Sequence, residues 1–226
     1  MSKIVRIGVI GTGGMGQGHL NSFDRIQEAK LTALCDIDPA VAEAQGKKFD
    51  VPYYLKHRDL LKSGLCDAVI IATPHPAHAP IAIDAMRAGL HVLCEKPIAE
   101  KVSAADRMIA AAQETGVTFA VMFQLRTYPA MIKAMEIVRS GALGKIFRTT
   151  MISPEYRSQA YYDSGTWRAT WTGEGGGIMM NQAPHITDMF INLGGMPCEV
   201  YGRMEMRLQH IEVEDLAEAL LTYPDG

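Results

Sequence analysis

A regular alternation of apolar strand patterns and helix patterns constrains the fold of this 226-residue chain more than any other feature. Strands are predicted at residues 4–10, 31–35, 67–73, 91–94 and 118–123. Helices are predicted directly after the glycine-rich residues 11–16 and at residues 39–49, 80–88 and 103–115, the last with Ser103 as its cap. Short connections of this kind give parallel strands with crossover helices on both faces. Residues 1–123 are therefore predicted to form a doubly wound parallel α/β sheet of the Rossmann type.

The pattern changes after residue 123. A helix is predicted at residues 129–139, a strand at 145–152, an irregular aromatic and glycine-rich stretch next, and a helix at 178–193. Alternating strands at 199–208 and 216–222 follow. Residues 124–226 are predicted to form an α+β domain with an open, largely antiparallel sheet. The closing residues YPDG indicate a hairpin turn whose second strand is missing, so we expect this domain to be incomplete in this chain.

Composition excludes several classes of protein. A hydrophobic fraction of 48%, a charged fraction of 21% and a net charge of -3 fit a soluble globular protein without the basic surface that binds nucleic acid. No apolar run is long enough for a membrane span, and the N-terminus lacks a signal-peptide pattern. The cysteines are widely spaced, and Cys35 and Cys94 fall in strand patterns, so reduced thiols in a cytoplasmic protein are expected. The histidines show no metal-binding spacing, and no metal is expected.

The sequence GTGGMG at residues 11–16 matches G-x-G-x-x-G between a predicted strand and a predicted helix, which is the context of a dinucleotide-binding turn. The whole turn is expected to contact the cofactor: Gly11, Thr12, Gly13, Gly14, Met15 and Gly16. Asp36 ends the next strand, where a carboxylate binds the adenosine ribose diol. A surface turn residue is the alternative for Asp36. Because this carboxylate would repel a 2′-phosphate and no arginine follows closely, NAD is predicted rather than NADP.

Four segments resemble the Gfo/Idh/MocA oxidoreductase family, named for glucose–fructose oxidoreductase, inositol dehydrogenase and a rhizopine catabolism protein. They are GTGGMG, ATPHPAHAPIAIDAMRAGLHVLCEKPIA, SGALGKI and GGGIMMNQAPHITD. The resemblance covers nearly all of the chain. It implies a Rossmann domain, a C-terminal α/β domain with an open sheet often used for oligomerisation, and NAD- or NADP-dependent oxidation or reduction of sugars, cyclitols and related polyols.

The resemblance also implies roles for individual residues. Lys96 matches the family's catalytic lysine, which binds the reacting hydroxyl or carbonyl, and Glu95 lies near the nicotinamide ribose. A cis Lys96–Pro97 bond, common in the family, would aim the lysine. His185 matches the general base. Asn181 stands where many members have aspartate; it can form hydrogen bonds but cannot take a proton. The spacing of four predicts that Asn181 and His185 share one helix face.

Several other residues are weaker candidates. Thr73, Pro74 and Gln124 are expected near the cofactor, and Arg126 near the substrate. Tyr156, Arg157, Trp167 and Trp171 are also expected near the substrate, with loop packing as the alternative for these four. His78 is expected to cap a helix or pack. Pro184 is expected to kink or restart the helix that contains His185. Asp188 has two open readings, orienting His185 or lying on the helix surface.

We therefore expect an NAD-dependent dehydrogenase that acts on a secondary alcohol or ketone of a sugar, cyclitol or related polyol. Lys96, His185 and Asn181 are its expected catalytic residues, and Lys96 and Glu95 also contact the cofactor. A homo-oligomer formed through the C-terminal sheet is expected, without nucleic-acid or membrane partners. Two alternatives stay open: a hydrolase or lyase that uses bound NAD transiently, and a non-catalytic dinucleotide-binding regulator.

Overall fold

The computed structural model describes residues 4–224, which form two compact units, one ending at Met122 and one beginning at Phe123. The first unit contains, in chain order, β1 (Val5–Ile10), α1 (Gly14–Leu20), β2 (Ala29–Cys35), α2 (Pro39–Phe49), β3 (Tyr53–Tyr54), α3 (His57–Leu61), β4 (Ala68–Ile71), α4 (His78–Arg87), β5 (His91–Cys94), α5 (Val102–Thr115) and β6 (Phe119–Val121). The second contains α6 (Pro129–Arg139), α7 (Gln159–Tyr162), α8 (Ile178–Asn181), α9 (Pro184–Gly194), β7 (Glu199–Glu205) and β8 (Leu216–Thr222).

All strands of the first unit belong to one parallel sheet. Its strand order is β3-β2-β1-β4-β5-β6, with each pair in parallel register. The order reverses between β1 and β4, because β2 and β3 lie on one side of β1 while β4, β5 and β6 lie on the other. This arrangement confirms the predicted doubly wound sheet and places the reversal next to the glycine-rich turn that follows β1.

Apolar clusters cover both faces of this sheet. Ile71 and Cys94 are fully buried in the larger cluster, and Val9 and Leu34 are fully buried in the smaller one. Alternate side chains of each strand enter opposite faces, so the strands read as nearly continuous apolar runs. Burial raises the pKa of Cys35 to about 12, so this thiol stays protonated, as expected for a core cysteine.

The sheet of the second unit is a two-stranded antiparallel ladder formed by β7 and β8. The predicted antiparallel arrangement is confirmed. The buried apolar cluster of this unit is smaller and contains Tyr162, Ala169 and Val213. Across residues 4–224, the structure contains no helix that is both long and apolar enough to cross a membrane.

Several sequence predictions are wrong in detail. Residues 145–152 form no strand, because this segment has no ladder partner among the described residues and exposes Phe147 and Ile152. Helix α5 begins at Val102, so Ser103 lies inside its first turn and Lys101 occupies the cap position. The short elements β3 and α3 were not predicted. The turn predicted at residues 223–226 extends beyond the described residues.

The predicted helix at 178–193 is two helices. α8 ends at Asn181, and α9 begins with Pro184 in its first turn. The restart at Pro184 is confirmed, since proline lacks the amide hydrogen that a continuous helix needs and fits a first turn well. The prediction that Asn181 and His185 share the face of one helix is therefore wrong.

Candidate functional site

The glycine-rich turn between β1 and α1 has the shape required of a dinucleotide-binding turn. Gly11 adopts a left-handed φ of +85°, and a Cβ there would lie 2.7 Å from the carbonyl oxygen of Ala72. A Cβ on Gly16 would lie 2.0 Å from the carbonyl oxygen of Gly11, so the helix packs directly on the turn. Gly13 differs, because nothing lies within 4 Å of the position of its missing Cβ. The first and last glycines thus serve the protein's own packing, and the open face of Gly13 leaves room for a pyrophosphate.

Asp36 follows β2 and is tied to this turn. Its Oδ2 accepts hydrogen bonds from the amide of Thr12 at 2.8 Å and from the Thr12 hydroxyl at 2.9 Å. Its Oδ1 accepts one from the amide of Asp38 at 3.0 Å. The next side chain, Ile37, is 90% exposed. Hydrogen bonds thus hold the carboxylate in one place at the end of its strand. The exposed Ile37 side chain beside it is an apolar surface that suits a flat ring such as an adenine.

At the end of β4, the Thr73 Oγ1 is buried and has no hydrogen-bond partner among the described residues. The fully buried ring of His78 lies between two carbonyl oxygens, with Nε2 2.9 Å from that of Thr73 and Nδ1 2.9 Å from that of Pro97. Burial lowers the pKa of His78 and outweighs the opposing effect of these two carbonyls. Of the two expected roles for His78, the structure shows packing, in which the ring holds the end of β4 against the turn after β5.

The end of β5 leads into the turn that contains Glu95, Lys96 and Pro97. Glu95 is 5% exposed, and its Oε1 lies 2.8 Å from Nε2 of His19. Its Oε2 accepts the backbone amide of Lys96 at 3.2 Å. Burial alone would raise the pKa of Glu95, but His19 and Lys96 stabilise the charged form and hold the pKa below its ordinary value. The predicted cis Lys96–Pro97 bond is confirmed.

Sequence reasoning did not identify His19 as part of this site. Its partner Glu95 lies 76 positions away, and only the packing of α1 on the sheet brings the two side chains together. The signal in the sequence was a histidine three positions after the last glycine of the turn, which by itself has no specific meaning.

These groups share one edge of the sheet. Asp36, Gly11, Thr73 and Glu95 follow the neighbouring strands β2, β1, β4 and β5 in that spatial order. In open α/β sheets, ligands bind outside the carboxyl ends of the strands, where the strand order reverses. The open face of Gly13, the anchored Asp36 carboxylate and the unpaired Thr73 Oγ1 all fit a dinucleotide at this edge.

In the second unit, the His185 ring is part of a stacked cluster. Its centroid lies 5.8 Å from that of Phe123 in an edge-on arrangement, and the Arg126 guanidinium lies 5.3 Å from the same Phe123 ring. Arg126 pairs through two hydrogen bonds with Asp188, one of them 2.7 Å long from its Nε. Asp188, whose role was left open, therefore binds a guanidinium.

Buried carboxylates organise the segment around Asn181. Glu174 accepts a hydrogen bond from Nδ2 of Asn181. Glu214 accepts the amides of Gly177 at 3.0 Å and Met179 at 3.1 Å, and so caps the start of α8. A Cβ on Gly177 would lie 1.9 Å from the carbonyl oxygen of Glu214. The missing side chain of Gly177 therefore allows a close approach by the protein's own chain.

The other predicted residues of the second unit differ in how they are held. Tyr156 and Trp171 are exposed. The guanidinium of Arg157 stacks on Tyr161 at 5.2 Å, and that of Arg168 stacks on the Trp167 ring at 4.5 Å. Oε1 of Gln124 is buried without a hydrogen-bond partner in the described chain. Residues 4–224 contain no group of three or more histidine, cysteine, aspartate or glutamate side chains placed to hold a metal ion.

Comparison with known proteins identifies two matching regions. Residues 5–123 match the Gfo/Idh/MocA description "Oxidoreductase family, NAD-binding Rossmann fold", and residues 131–226 match the "GFO/IDH/MocA C-terminal domain". The structure of the WlbA dehydrogenase from Bordetella pertussis, in complex with NADH and UDP-GlcNAcA, superposes with a TM-score of 0.90 at 30% identity. That likeness covers 100% of this chain and 68% of the WlbA chain.

Two relatives differ in their named activities. Inositol 2-dehydrogenase from Rubrobacter xylanophilus is 34% identical over 145 residues, which is 63% of this chain. Alpha-N-acetylgalactosaminidase from Shewanella oneidensis is 31% identical over 183 residues, which is 75% of this chain. The aligned region spans 42% of the length of the first and 40% of the length of the second.

Proposed function

The chain belongs to the Gfo/Idh/MocA oxidoreductase family, and on that premise we propose that it transfers a hydride between NAD and a sugar, cyclitol or related polyol. The reacting group is a secondary alcohol or the corresponding ketone. One observation carries the proposal: the glycine turn, the anchored Asp36 and the Glu95–Lys96 turn occupy the carboxyl ends of neighbouring strands. A dinucleotide-binding regulator needs the first two features but has no use for a lysine at the third.

NAD is the proposed cofactor, and it supplies the hydride acceptor when bound. A carboxylate only accepts hydrogen bonds, so the two Oδ atoms of Asp36 suit a ligand that carries hydroxyl groups. The same charge repels the 2′-phosphate of NADP. An arginine after Asp36 would attract that phosphate. The residue at this position is Ile37, whose exposed side chain is apolar and carries no charge.

The chain's own residues divide the remaining work. Lys96 binds the reacting oxygen with its ammonium group and stabilises negative charge that develops there. His185 accepts the hydroxyl proton as general base. His19 and His78 hold the turn around Lys96 from two sides, the first through Glu95 and the second through the carbonyl of Pro97. Neither needs to touch the substrate.

The substrate class is supported by the relatives and by residue chemistry. The WlbA structure is a complex with UDP-GlcNAcA, a nucleotide sugar acid, and inositol 2-dehydrogenase is named for a cyclitol. Both molecules carry rings with several secondary hydroxyls. Arg126, Tyr156, Arg157, Trp167 and Trp171 are proposed to bind such a ring, because guanidinium groups and aromatic faces suit hydroxyls and sugar C–H surfaces.

A screen of activity tests this proposal. The purified chain is incubated with NAD or NADP and a panel of cyclitols, hexoses and UDP-sugars while NADH absorbance is followed. We expect net NADH formation with at least one secondary alcohol. Gly13→Ala should abolish cofactor binding without loss of stability, because its Cβ enters the open space reserved for the pyrophosphate. Gly18→Ala, equally unobstructed but inside the helix α1 that follows, is the control. Absence of NAD binding by the unmutated chain would contradict the proposal.

The second candidate function is hydrolysis with transient use of NAD. The similarity to alpha-N-acetylgalactosaminidase supports it. Such an enzyme cleaves a glycoside while NAD is reduced and reoxidised within one turnover. A chromogenic N-acetylgalactosaminide separates the two candidates. Release of the phenol without accumulation of NADH would support hydrolysis, and accumulation of NADH on free polyols would support the dehydrogenase.

We also propose that the chain forms a homo-oligomer through the sheet of its second unit. Large apolar side chains on β7 and β8 are 62–80% exposed: Val200, Tyr201, Met204 and Leu220. A two-stranded sheet is only marginally stable in water when nothing covers its apolar side chains. Tyr201 and Leu220 are paired across the two strands and share one face, and a second copy of the same sheet would cover that face.

A further inference from the structure

The most unusual buried group in the second unit is the carboxylate of Glu174, which is 1% exposed. Its Oε2 accepts the backbone amide of Ala169 at 2.7 Å, and its Oε1 accepts Nδ2 of Asn181. The guanidinium of Arg168 lies 3.9 Å from the same Oε1. Two hydrogen-bond donors and one guanidinium at ion-pair distance surround this side chain, a set of partners that suits an ionised carboxylate.

The carboxylate determines how the amide of Asn181 is oriented. An ionised carboxylate can only accept hydrogen bonds, so the atom of Asn181 that faces it must be a donor. If the amide were turned over, Oδ1 would face Oε1 and two oxygens would be buried against each other without a hydrogen. Nδ2 therefore faces Glu174, and Oδ1, the acceptor end of the same amide, faces away from it.

We propose that Glu174 is a positioning residue that fixes Asn181 so that its Oδ1 is presented as a hydrogen-bond acceptor at the substrate site. This inference rests on the proposed function, which assigns Asn181 to the substrate site. The fixed acceptor selects a partner that carries a hydrogen, such as a ring hydroxyl of the substrate or an imidazole N–H. It disfavours a carbonyl or carboxylate oxygen at the same place.

The proposal explains why asparagine, and not aspartate, suits position 181. With Glu174 buried beside it, an aspartate at 181 would place two carboxylates in contact, and one of them would have to take a proton. Asparagine keeps the acceptor that aspartate would offer and supplies the hydrogen that Glu174 requires. The buried carboxylate and the amide are thus complementary, and exchanging them together preserves the pair.

Thermal unfolding of four proteins tests the pair: the unmutated chain, Asn181→Asp, Glu174→Gln and the double exchange. At pH 7 we expect Asn181→Asp to lower Tm by at least about 5 °C, which reflects like-charge contact in a buried place. Most of this loss should disappear at pH 5, where one proton is shared. The double exchange should recover most of the Tm at pH 7, because the new amide at 174 again faces a carboxylate at 181. Asn21→Asp is the charge-matched control, since Oδ1 of Asn21 accepts from a lysine.

Kinetics on a verified substrate test the presentation of Oδ1. Glu174→Gln removes the constraint on the amide, so KM should rise by roughly tenfold with smaller changes in kcat and NAD affinity. The double exchange should restore KM, because a carboxylate at 181 again offers an acceptor. An Asn181→Asp protein as stable as the unmutated one at pH 7, or a double exchange no better than Asn181→Asp, would overturn the proposed pair. An unchanged KM in Glu174→Gln would overturn its role in the site. The thermal cycle does not depend on activity, whereas failure of the proposed function would appear in the screen for NADH formation.

Discussion

The two units of this protein are stabilised in different ways. The first has an apolar interior, with Val9, Ile71 and Cys94 fully buried in a six-stranded sheet, and its polar groups are gathered at the strand ends. In the second, carboxylates fix much of the backbone. Asp215 accepts the amides of Arg207, Leu208 and Gln209 at 2.7, 2.7 and 2.8 Å, in addition to the roles of Glu174 and Glu214.

This difference matches the work proposed for each unit. A close-packed apolar sheet holds its strand ends rigidly, which suits a cofactor whose shape does not vary. Loop segments held by carboxylate-to-amide hydrogen bonds can change with less damage to a core, which suits a substrate site that varies among relatives. Large apolar side chains of β7 and β8 are exposed, and the proposed homo-oligomer would cover part of them.

The largest expected effect tests whether both units contribute to the chemistry. Lys96→Ala, in the first unit, and His185→Ala, in the second, should each reduce kcat by about 10² to 10⁴. NAD affinity should change less than kcat, because both groups are proposed to act on the substrate. Combined, the losses should not add fully, since residues that act as a unit are non-additive. Steady-state kinetics and a separate NAD titration give these values.

Lys101→Ala, an exposed lysine of the same loop region, is the control for Lys96 and should leave kcat unchanged. If His185→Ala keeps most of the activity on a verified substrate, the catalytic contribution assigned to the second unit is wrong, and only the cofactor-binding role of the first would stand.

The contrast between the two sheets predicts the next largest effect. Ile71→Ala empties part of the packed core of β4 and should cost about 2–5 kcal/mol in the free energy of unfolding. Leu220→Ala, on a β8 side chain that is 71% exposed, should change the same quantity by less than about 0.5 kcal/mol under conditions where the chain is a monomer. Urea unfolding monitored by circular dichroism measures both.

Sedimentation then tests what covers the second sheet. Leu220→Glu should shift the chain towards monomer if copies associate there, because it introduces a charge into the proposed contact. An oligomer that is insensitive to Leu220→Glu would show that association uses another surface.

The sequence was sufficient to predict the parallel sheet and the strand-end turns, because both depend on local patterns. A glycine-rich turn between an apolar strand and a helix, and Lys96–Pro97 after another strand, can be recognised without knowing any long-range contact. The segment 145–152 shows the limit. Its alternation satisfies the local condition for a strand, but a strand also needs a neighbour to pair with, and no local pattern reveals whether one is present.

The side chains that hold the candidate site were missed for a related reason. His19 meets Glu95, and Glu214 caps the helix at Gly177, over separations of 76 and 37 positions. In the sequence, such residues look like ordinary helix or loop residues. Glu174 is closer to Asn181 in sequence, but its burial depends on tertiary packing around Ala169, which the sequence does not display.

Replacing one of the carboxylates of the second unit tests their structural role. Asp215→Ala removes the shared acceptor of three amides and should cost about 2 kcal/mol, whereas Glu218→Ala, exposed on β8, should cost little. Burial would raise the pKa of Asp215, but the three amides outweigh it and lower the pKa. Its stabilisation is therefore present above about pH 4 and lost as the pH falls through the lowered value. In acid, the free energy of unfolding should depend less on pH for Asp215→Ala than for the unmutated chain. An unchanged pH dependence would contradict this role.

Cofactor choice tests the first unit at its strand ends. Asp36→Ala should weaken binding of both cofactors, because Thr12 loses its anchor, but it should also narrow the preference for NAD by roughly tenfold as repulsion of the 2′-phosphate disappears. Asp38→Ala is the matched control; it removes the cap of α2 at a cost of about 1 kcal/mol and should leave the ratio unchanged. Titration of both cofactors gives the ratio. Equal or tighter binding of NADP by the unmutated chain would refute the assignment.

The smallest expected effect is a difference in how the first unit responds to pH. Burial lowers the pKa of His78, so the folded chain binds a proton there less readily than the unfolded chain. The unfolding free energy should therefore fall as the pH drops below about 6.5, by at most about 1.4 kcal/mol per pH unit from this group. This onset lies above the range in which Asp215 loses its contribution. His78→Gln should make the unfolding free energy less dependent on pH between about pH 6.5 and the lowered folded pKa. His91→Gln, at the opposite end of β5, should leave this pH dependence unchanged. If His78→Gln leaves the slope unchanged, the buried ring is not what makes the first unit sensitive to mild acid.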